Sequence, residues 1–235
     1  WIYGGKEKQS LPWSARRRII TDIAKGLAYL HEDCSHKIIH FDIKPQNILL
    51  DQNFNAKVAD FGLSKLVEKD QSRVITRMRG TPGYLAPEWL SSVITEKVDV
   101  YSFGIVMLEI LCGRKNLDWS QIEEDRHLLS VFKRRAEEAR LEDMVDKNNL
   151  DMQVHVLEAV EMMQIAAWCL QSNFTKRPSM SLVVKVLDGL VAPETNLDYD
   201  FTKPSAVETG AAGDQEREAF HIASPLLPST LSGPR

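Results

Sequence analysis

Residues 40–47 of the chain read HFDIKPQN and combine an acid, a base and an amide within a few positions. The carboxylate of Asp42 can accept a proton, and the ammonium group of Lys44 can neutralise an anion. The side-chain oxygen of Asn47 is neutral and suits a hard cation such as Mg²⁺. This stretch therefore carries a candidate proton acceptor, a candidate anion ligand and a candidate cation ligand.

Two short apolar runs, residues 37–39 and 48–50, flank this stretch. Their length and branched side chains predict a strand on either side, and residues 56–59 predict a third strand. Pro45 cannot take part in a regular strand, because it lacks a backbone N–H and its φ is fixed. The pattern predicts a rigid loop that displays the polar side chains between two strands.

Two further motifs follow in order. Residues 60–62 read DFG, and residues 80–88 read GTPGYLAPE. Each motif alone occurs by chance, so the signal lies in their order and spacing. The chain resembles the protein kinase family, whose signature is a catalytic loop H-R-D-L-x-x-x-N followed by D-F-G and A-P-E. The resemblance implies an α+β, protein-kinase-like fold, mainly the α-helical C-terminal lobe with short β-strands around the catalytic loop.

The resemblance also implies roles for four side chains. Asp42 is the catalytic aspartate that orients a substrate hydroxyl and accepts its proton, and Lys44 contacts and neutralises the γ-phosphate of ATP. Asn47 and Asp60 bind Mg²⁺ through oxygen atoms, with Mn²⁺ as an alternative cation. The competing interpretation is an ordinary polar turn with capping side chains, and the order of the three motifs favours catalysis over it.

Lys44 and Thr81 imply the substrate class. The form D-x-K-x-x-N resembles that of serine/threonine kinases, and Thr81 stands where that class has a threonine in contact with the aspartate and the lysine. The resemblance therefore implies transfer of the ATP γ-phosphate to Ser or Thr hydroxyls of protein substrates.

Three further residues resemble structural supports of the family. Glu88 resembles the acid that pairs with a buried arginine, and Arg177 matches that arginine. Asp99 resembles the aspartate that hydrogen-bonds the backbone of the catalytic loop, and it also suits a helix N-terminus, where the macrodipole favours an acid. An isolated buried charge costs on the order of several kcal/mol, so each of these groups is expected to have partners.

The sequence departs from the family pattern at Phe41, where most kinases have an arginine that docks a phosphorylated activation loop. Ser72, Thr76 and Thr81 are candidate phosphosites, but no arginine at position 41 can receive their phosphate. The departure argues against a switch that works through loop phosphorylation.

The second departure concerns the half of a kinase that covers ATP. No G-x-G-x-x-G loop, strand lysine or partner glutamate precedes residue 40. We therefore expect the N-terminal lobe to be absent from this chain, and residues 1–235 alone to have negligible kinase activity. The alternative is a truncated, catalytically inactive kinase-like protein that acts as a binding or scaffold module.

Several segments resemble plant receptor-like kinases, especially the S-domain (G-type lectin) group. They are residues 26–34 (GLAYLHEDC), 40–51 (HFDIKPQNILLD), 80–90 (GTPGYLAPEWL) and 97–113 (KVDVYSFGIVMLEILCG). The resemblance implies a part in signal transduction on the cytoplasmic side of the plasma membrane. It also implies that contact with the membrane is made only through a receptor span that is not present in this chain.

The composition, with 43% apolar and 26% charged residues, is typical of a soluble globular protein. Residues 192–235 hold three Lys or Arg and seven Asp or Glu, which accounts for the net charge of −4, and the neutral remainder argues against nucleic-acid binding. The 3 cysteines are few and odd in number, as in a reducing compartment. No apolar run spans a bilayer comfortably, so the chain alone is expected to be cytoplasmic.

The domain organisation follows from the change of pattern after residue 191. Residues 1–191 are predicted to form the kinase domain, and the Pro-, Ser- and Gly-rich residues 192–235 a disordered tail. Residues 65–79 have no periodic pattern and predict a mobile loop. Apolar spacing predicts helices from residue 14 onward and over residues 98–112, 121–140, 154–170 and 179–191.

Two polar clusters favour structural interpretations. The basic run at residues 16–18 is predicted to be a solvated helix surface rather than an anion site. His31 and His40, with Cys34 and His36 between them, lack the paired spacing of a zinc site and are predicted to be incidental histidines near a helix end.

Overall fold

A computed structural model describes residues 11–68, 71, 74, 76–90 and 94–201. Helices dominate this part of the chain, which confirms an α+β fold of the C-terminal-lobe type. None of its helices is both long and apolar enough to cross a membrane. In the described residues the α-helices are Trp13–Ala28 (α1), Lys97–Cys112 (α2), Leu128–Glu137 (α3), Leu150–Val154 (α4), Val156–Cys169 (α5) and Met180–Leu187 (α6).

In the described part of the chain, four short strands lie around the HFDIKPQN loop: Lys37–Ile39 (β1), Ile48–Leu50 (β2), Ala56–Val58 (β3) and Lys65–Val67 (β4). The β2 and β3 strands form an antiparallel pair, and β1 pairs antiparallel with β4. The first three strands confirm the predictions from sequence. The fourth strand corrects the prediction of a mobile loop that begins at residue 65. It pairs with β1, which lies far away in the sequence, so no local pattern indicates this strand.

Helix α2 forms the centre of the core, and every one of its residues after Lys97 is buried. It ends at Gly113, whose φ of 65° places it in the left-handed region that glycine adopts without strain. The prediction of a fully buried helix is confirmed. Helix α5 packs closely against α2 at Gly104, where an added Cβ would lie 2.8 Å from Cγ of Leu170.

The predicted helix over residues 121–140 is only partly correct, because the described helix α3 begins at Leu128. The preceding segment folds back on itself through two hydrogen bonds, from Asp118 N to Arg126 O at 3.0 Å and from Leu128 N to Asn116 O at 2.8 Å. These bonds use backbone groups that a continuous helix would need for its own ladder.

Arg16 corrects the expectation of a solvated basic run. Arg17 and Arg18 are exposed, but Arg16 is 1% exposed. Its guanidinium donates to Asp146 Oδ2 at 2.5 Å and to the carbonyl oxygens of Ile110 at 2.5 Å and Leu11 at 3.0 Å. A buried guanidinium requires such partners, and the contacts tie the start of α1 to the end of α2.

The packed body extends beyond the predicted boundary at Val191. Leu197 and Tyr199 are partly buried against the core, and Phe201 is 2% exposed. Leu197, Tyr199 and Phe201 thus pack against the core, although their composition had predicted a disordered tail, and the boundary between domain and tail stays a prediction. Residues 202–235 lie outside the described residues.

Two glycines allow a matched test of the packing between helices. Gly104→Ala is expected to destabilise the protein by about 1–3 kcal/mol, since the added methyl group overpacks the contact between α2 and α5. Gly26→Ala in α1 places its Cβ 3.6 Å from Val58, an ordinary contact. This control should gain roughly 0.5–1 kcal/mol from the lower entropy of the unfolded chain. Urea unfolding measures both, and equal stability changes would contradict the proposed contact.

Candidate active site

The carboxylate of Asp42 lies at the centre of a compact polar cluster. Lys44 Nζ donates to Asp42 Oδ2 at 2.7 Å, and Thr81 Oγ1 donates to Asp42 Oδ1 at 2.6 Å. Asn47 Nδ2 donates to the backbone oxygen of Asp42 at 2.9 Å and to its Oδ2 at 3.1 Å. Lys44 also donates to Thr81 at 2.8 Å. The structure thus brings together four residues that the motifs predicted, although they come from two separate segments.

The electrostatics of the cluster favour an ionised Asp42. Burial alone would raise the pKa of this carboxyl group. The hydrogen bonds from Lys44, Thr81 and Asn47, together with the charge of Lys44, outweigh the burial and hold the pKa of Asp42 below its ordinary value. The group is therefore a carboxylate at neutral pH, oriented by three donors.

A buried carboxylate on α2 holds the backbone of the loop. Asp99 is 0% exposed and accepts hydrogen bonds from His40 N at 2.7 Å and from Phe41 N at 2.8 Å. Phe41 has a φ of 68°, an uncommon value for a residue with a bulky side chain. The two bonds to Asp99 stabilise this turn, which directs Asp42 towards Thr81.

His31 is a supporting residue that the sequence did not identify. Its Nε2 lies 2.9 Å from Asp99 Oδ2, and both side chains are almost fully buried. A single π-helical turn, Tyr29–Asp33, follows α1 and carries this histidine. Such turns are frequent at functional sites. The partner is 68 residues away in sequence, so no local pattern could distinguish His31 from an incidental histidine.

Asn47 and Asp60 are suited to a hard cation. Asn47 Nδ2 donates to two oxygen atoms of Asp42, and no described residue donates to the side-chain oxygen of Asn47. Asp60 is exposed, and Gly62 N donates to its Oδ1 at 3.2 Å. Ala59 N donates to the backbone oxygen of Asn47 at 2.8 Å and so keeps the two segments together. The donors fit Mg²⁺, which takes few protein ligands and the rest from phosphate and water.

A second anchor lies behind the segment that contains Thr81. Arg177 makes a bidentate ion pair with Glu88, at 2.6 and 2.8 Å, and both side chains are buried. Arg177 Nη1 also donates to Lys97 O on α2 at 2.9 Å, and its guanidinium lies 4.9 Å from the ring centroid of Tyr101. These contacts compensate the charge and connect the segment to the helical core.

Glu109 anchors the same segment from the other end of α2, a role that no sequence pattern indicated. Tyr84 donates its hydroxyl hydrogen to Glu109 Oε2 at 2.9 Å, and Asn116 N donates to Oε1 at 2.6 Å. Asn116 Nδ2 then donates to Gly83 O at 2.6 Å. Burial and the adjacent acid raise the pKa of Tyr84, so its hydroxyl remains protonated and available as a donor.

Phe41 packs at the position where the resemblance implies an arginine. Its ring makes an edge contact with Trp89, with centroids 5.4 Å apart, and Arg79 lies 5.9 Å from the ring centroid. Arg79 also donates to the backbone oxygen of Leu63 at 3.4 Å. Apolar packing therefore fills this position.

The candidate phosphosites differ in their surroundings. Thr76 is partly buried in the segment before Arg79, and Thr81 is engaged with Asp42. Ser72 lies outside the described residues. The role of these residues as phosphosites remains a prediction.

The lowered pKa of Asp42 gives a pH-dependent prediction. The ionised group contributes stability that is fully present above the ordinary pKa of 3.8 and is lost as the pH falls through the lower pKa of the folded state. The difference in unfolding free energy between the wild type and Asp42→Asn should therefore be largest near neutrality and shrink below pH 3.8. Urea unfolding across this range measures it. A difference that is independent of pH would contradict the assigned hydrogen bonds.

Comparison with known proteins shows the family of the chain. Residues 4–186 match the model of the protein kinase domain. The chain is 45% identical over 246 residues to the G-type lectin S-receptor-like serine/threonine-protein kinase SD2-5 of Arabidopsis thaliana, covering 100% of this chain and 30% of that protein. It is 42% identical to the probable receptor-like protein kinase At5g20050 of Arabidopsis thaliana, covering 88% of this chain and 46% of that protein.

A further relative is the G-type lectin S-receptor-like serine/threonine-protein kinase LECRK4 of Oryza sativa subsp. indica. It is 44% identical over 187 residues, which cover 79% of this chain and 23% of that protein. The chain thus spans less than half the length of each of these relatives. The matched region includes the HFDIKPQN loop, the DFG motif and the segment up to Arg177. The chain belongs to the protein kinase domain family.

Proposed function

We propose that this chain provides the catalytic loop and substrate-orienting segment of a protein serine/threonine kinase. The observation that carries the proposal is the carboxylate of Asp42, which Lys44, Thr81 and Asn47 hold simultaneously at 2.6–3.1 Å. An ordinary polar turn does not need a contact between residues 42 and 81. A site that aligns a hydroxyl with a phosphoryl group needs its carboxylate held in one orientation, and this contact holds it.

Asp42 acts first in the proposed mechanism. Its oxygen atoms accept the hydrogen bond of a Ser or Thr hydroxyl and orient the nucleophile. The carboxylate takes the hydroxyl proton as the hydroxyl oxygen bonds to the γ-phosphorus and the bond between that phosphorus and the departing ADP breaks. Thr81 and Asn47 restrict the rotation of the carboxylate. Lys44 pairs with the charge of Asp42 before the reaction. During the reaction, it contacts the transferred phosphoryl group.

Asn47 and Asp60 would hold the divalent cation of Mg-ATP through their side-chain oxygen atoms. The bound nucleotide and cation supply the γ-phosphoryl group and part of the charge neutralisation. Kinases of this family generally use ATP and Mg²⁺. The free amide oxygen of Asn47 and the exposed carboxylate of Asp60 support the same assignment here.

The substrate class and the location rest on the relatives and on two residues. The names of two of the relatives specify serine/threonine kinases, and all three are named as receptor-like. Lys44 and Thr81 contact Asp42 in the manner implied for that class. We therefore propose protein substrates with Ser or Thr hydroxyls and a position on the cytoplasmic side of the plasma membrane, within a longer receptor-like kinase.

Substitution of Asp42 tests the proposal. In the full-length protein, Asp42→Asn is expected to lower kcat for phosphorylation of a generic Ser/Thr protein substrate by on the order of 10²–10⁴-fold, because the carboxylate no longer accepts the proton. Transfer of ³²P from Mg-ATP, followed by phosphoamino acid analysis, measures the rate and the acceptor.

Asp33 is exposed, so Asp33→Asn is the matched control, and the activity of this variant should equal that of the wild type. Circular dichroism must show that both variants are folded. Full activity of Asp42→Asn, phosphate on tyrosine alone, or no transfer by the wild-type protein would each overturn the proposed function.

A further inference from the structure

Residues 197–201 (LDYDF), which we call the strap, lie against the helical body after α6. The strap contains no helix or strand. Its last residue, Phe201, is nevertheless 2% exposed, and Leu197 and Tyr199 pack against the core. Side chains of alternating positions therefore point into the body, as in an extended bound peptide.

Aromatic contacts hold the strap to α3. The ring of Phe132, which is 0% exposed, stacks on Phe201 with centroids 5.7 Å apart and makes an edge contact with Tyr199 at 5.8 Å. Lys133, the next residue of α3, pairs with Asp200 at 3.5 Å. The apolar and charged groups of α3 thus match the alternation of aromatic and acidic residues in the strap.

A glutamine clamps the backbone of the strap. Gln171 Nε2 donates to Asp198 O at 2.9 Å, and Asp198 N donates to Gln171 Oε1 at 3.2 Å. Gln171 is 3% exposed and lies two residues after the end of α5, and its Nε2 also donates to Ala167 O at 2.9 Å. These two hydrogen bonds are made to the backbone of the strap and not to its side chains.

Two routes connect the strap with the ion pair of Glu88 and Arg177. Gln171 accepts from Arg177 Nε through its backbone oxygen at 2.6 Å. Tyr101 donates its hydroxyl hydrogen to Phe201 O at 3.4 Å, and its ring lies 4.9 Å from the guanidinium of Arg177. Two of the residues that hold the strap, Gln171 and Tyr101, therefore also contact Arg177.

We propose that the strap is a releasable latch for the Glu88–Arg177 anchor. When the strap is docked, its hydrogen bonds fix the side chains of Gln171 and Tyr101. These two residues then hold Arg177 in position to pair with Glu88. When the strap is released, both residues lose a partner, and the turn Pro87–Leu90 loses part of its support.

The strap has the properties of an element that can detach without global unfolding. It has no secondary structure, Tyr199 is only partly buried, and Asp198 is exposed. The ion pair between Lys133 and Asp200 is itself partly exposed to solvent. Segments with few buried contacts open at lower free energy than the core of a domain.

Hydrogen exchange of the full chain tests the latch in both directions. Phe201→Ala removes the stacking on Phe132, and Gln171→Met removes both hydrogen bonds to the backbone of Asp198 with little change in side-chain length. Both should raise the exchange rate of the Asp198 amide and, through the coupling, those of Trp89 and Arg177 by at least about fivefold. Tyr101→Phe, which keeps the ring under Arg177, should have a smaller effect of the same sign.

Because coupling is reciprocal, Glu88→Gln must in turn raise the exchange rate of the Asp198 amide. Glu194→Ala is the control: this carboxylate accepts from the amides of Thr195 and Asn196, close to the strap, and its loss should leave Trp89 and Arg177 unchanged.

Two outcomes would overturn the proposal. One is rapid exchange of the Asp198 amide in the wild type, which would mean that the strap is not docked. The other is release of the strap without any change at Trp89 and Arg177. None of these measurements requires phosphoryl transfer, so the latch and the proposed kinase function can fail independently.

Discussion

The carboxylate of Asp99 is the interaction on which the geometry of the catalytic loop depends. It is fully buried in the first turn of α2 and accepts from two successive backbone amides of the loop and from His31. An unpartnered buried carboxylate would cost on the order of several kcal/mol. Hydrogen bonds to charged groups contribute roughly 1.5–3 kcal/mol each, so three donors offset that cost. The two backbone donors hold the loop, and His31 holds the carboxylate that accepts from them.

Helix α2 transmits this rigidity to both parts of the site. Asp99 holds the loop with Asp42, and Glu109 ten residues later holds Tyr84 in the segment with Thr81. Lys97 O accepts from Arg177, which is paired with Glu88 at the end of the same segment. Every residue of the helix after the first is buried, so its polar groups have little freedom to move. Asp42 and Thr81 consequently meet although neither segment is itself regular.

Patterns within the sequence predicted much of this arrangement. The order of three motifs identified the family, apolar runs located the first three strands, and a continuous apolar run located α2. The residues of the Asp42 cluster were named because their types are required by one reaction. Their roles in that reaction remain predictions that the contacts support.

The features that the sequence did not reveal depend on partners far along the chain. Arg16 is buried because its guanidinium donates to Asp146, which lies 130 residues later, and His31 is buried against Asp99, which lies 68 residues later. The strap resembled a disordered segment by composition, yet Phe132 and Gln171 supply the surface on which it packs. Strand β4 was missed for the same reason, since its partner β1 lies on the other side of the loop. Local composition contains no information about such partners.

The most direct test of the account is the Asp99→Asn variant of the full-length protein. The amide keeps the shape of the carboxylate, but its nitrogen cannot accept, so at least one backbone donor of the loop is left unpaired. Exchange of the His40 and Phe41 amides should accelerate on the order of 10- to 100-fold, and kcat should fall with it, because an unpaired buried donor costs about 1–3 kcal/mol. Unchanged exchange at both amides together with wild-type kcat would contradict the claim that this carboxylate holds the catalytic loop.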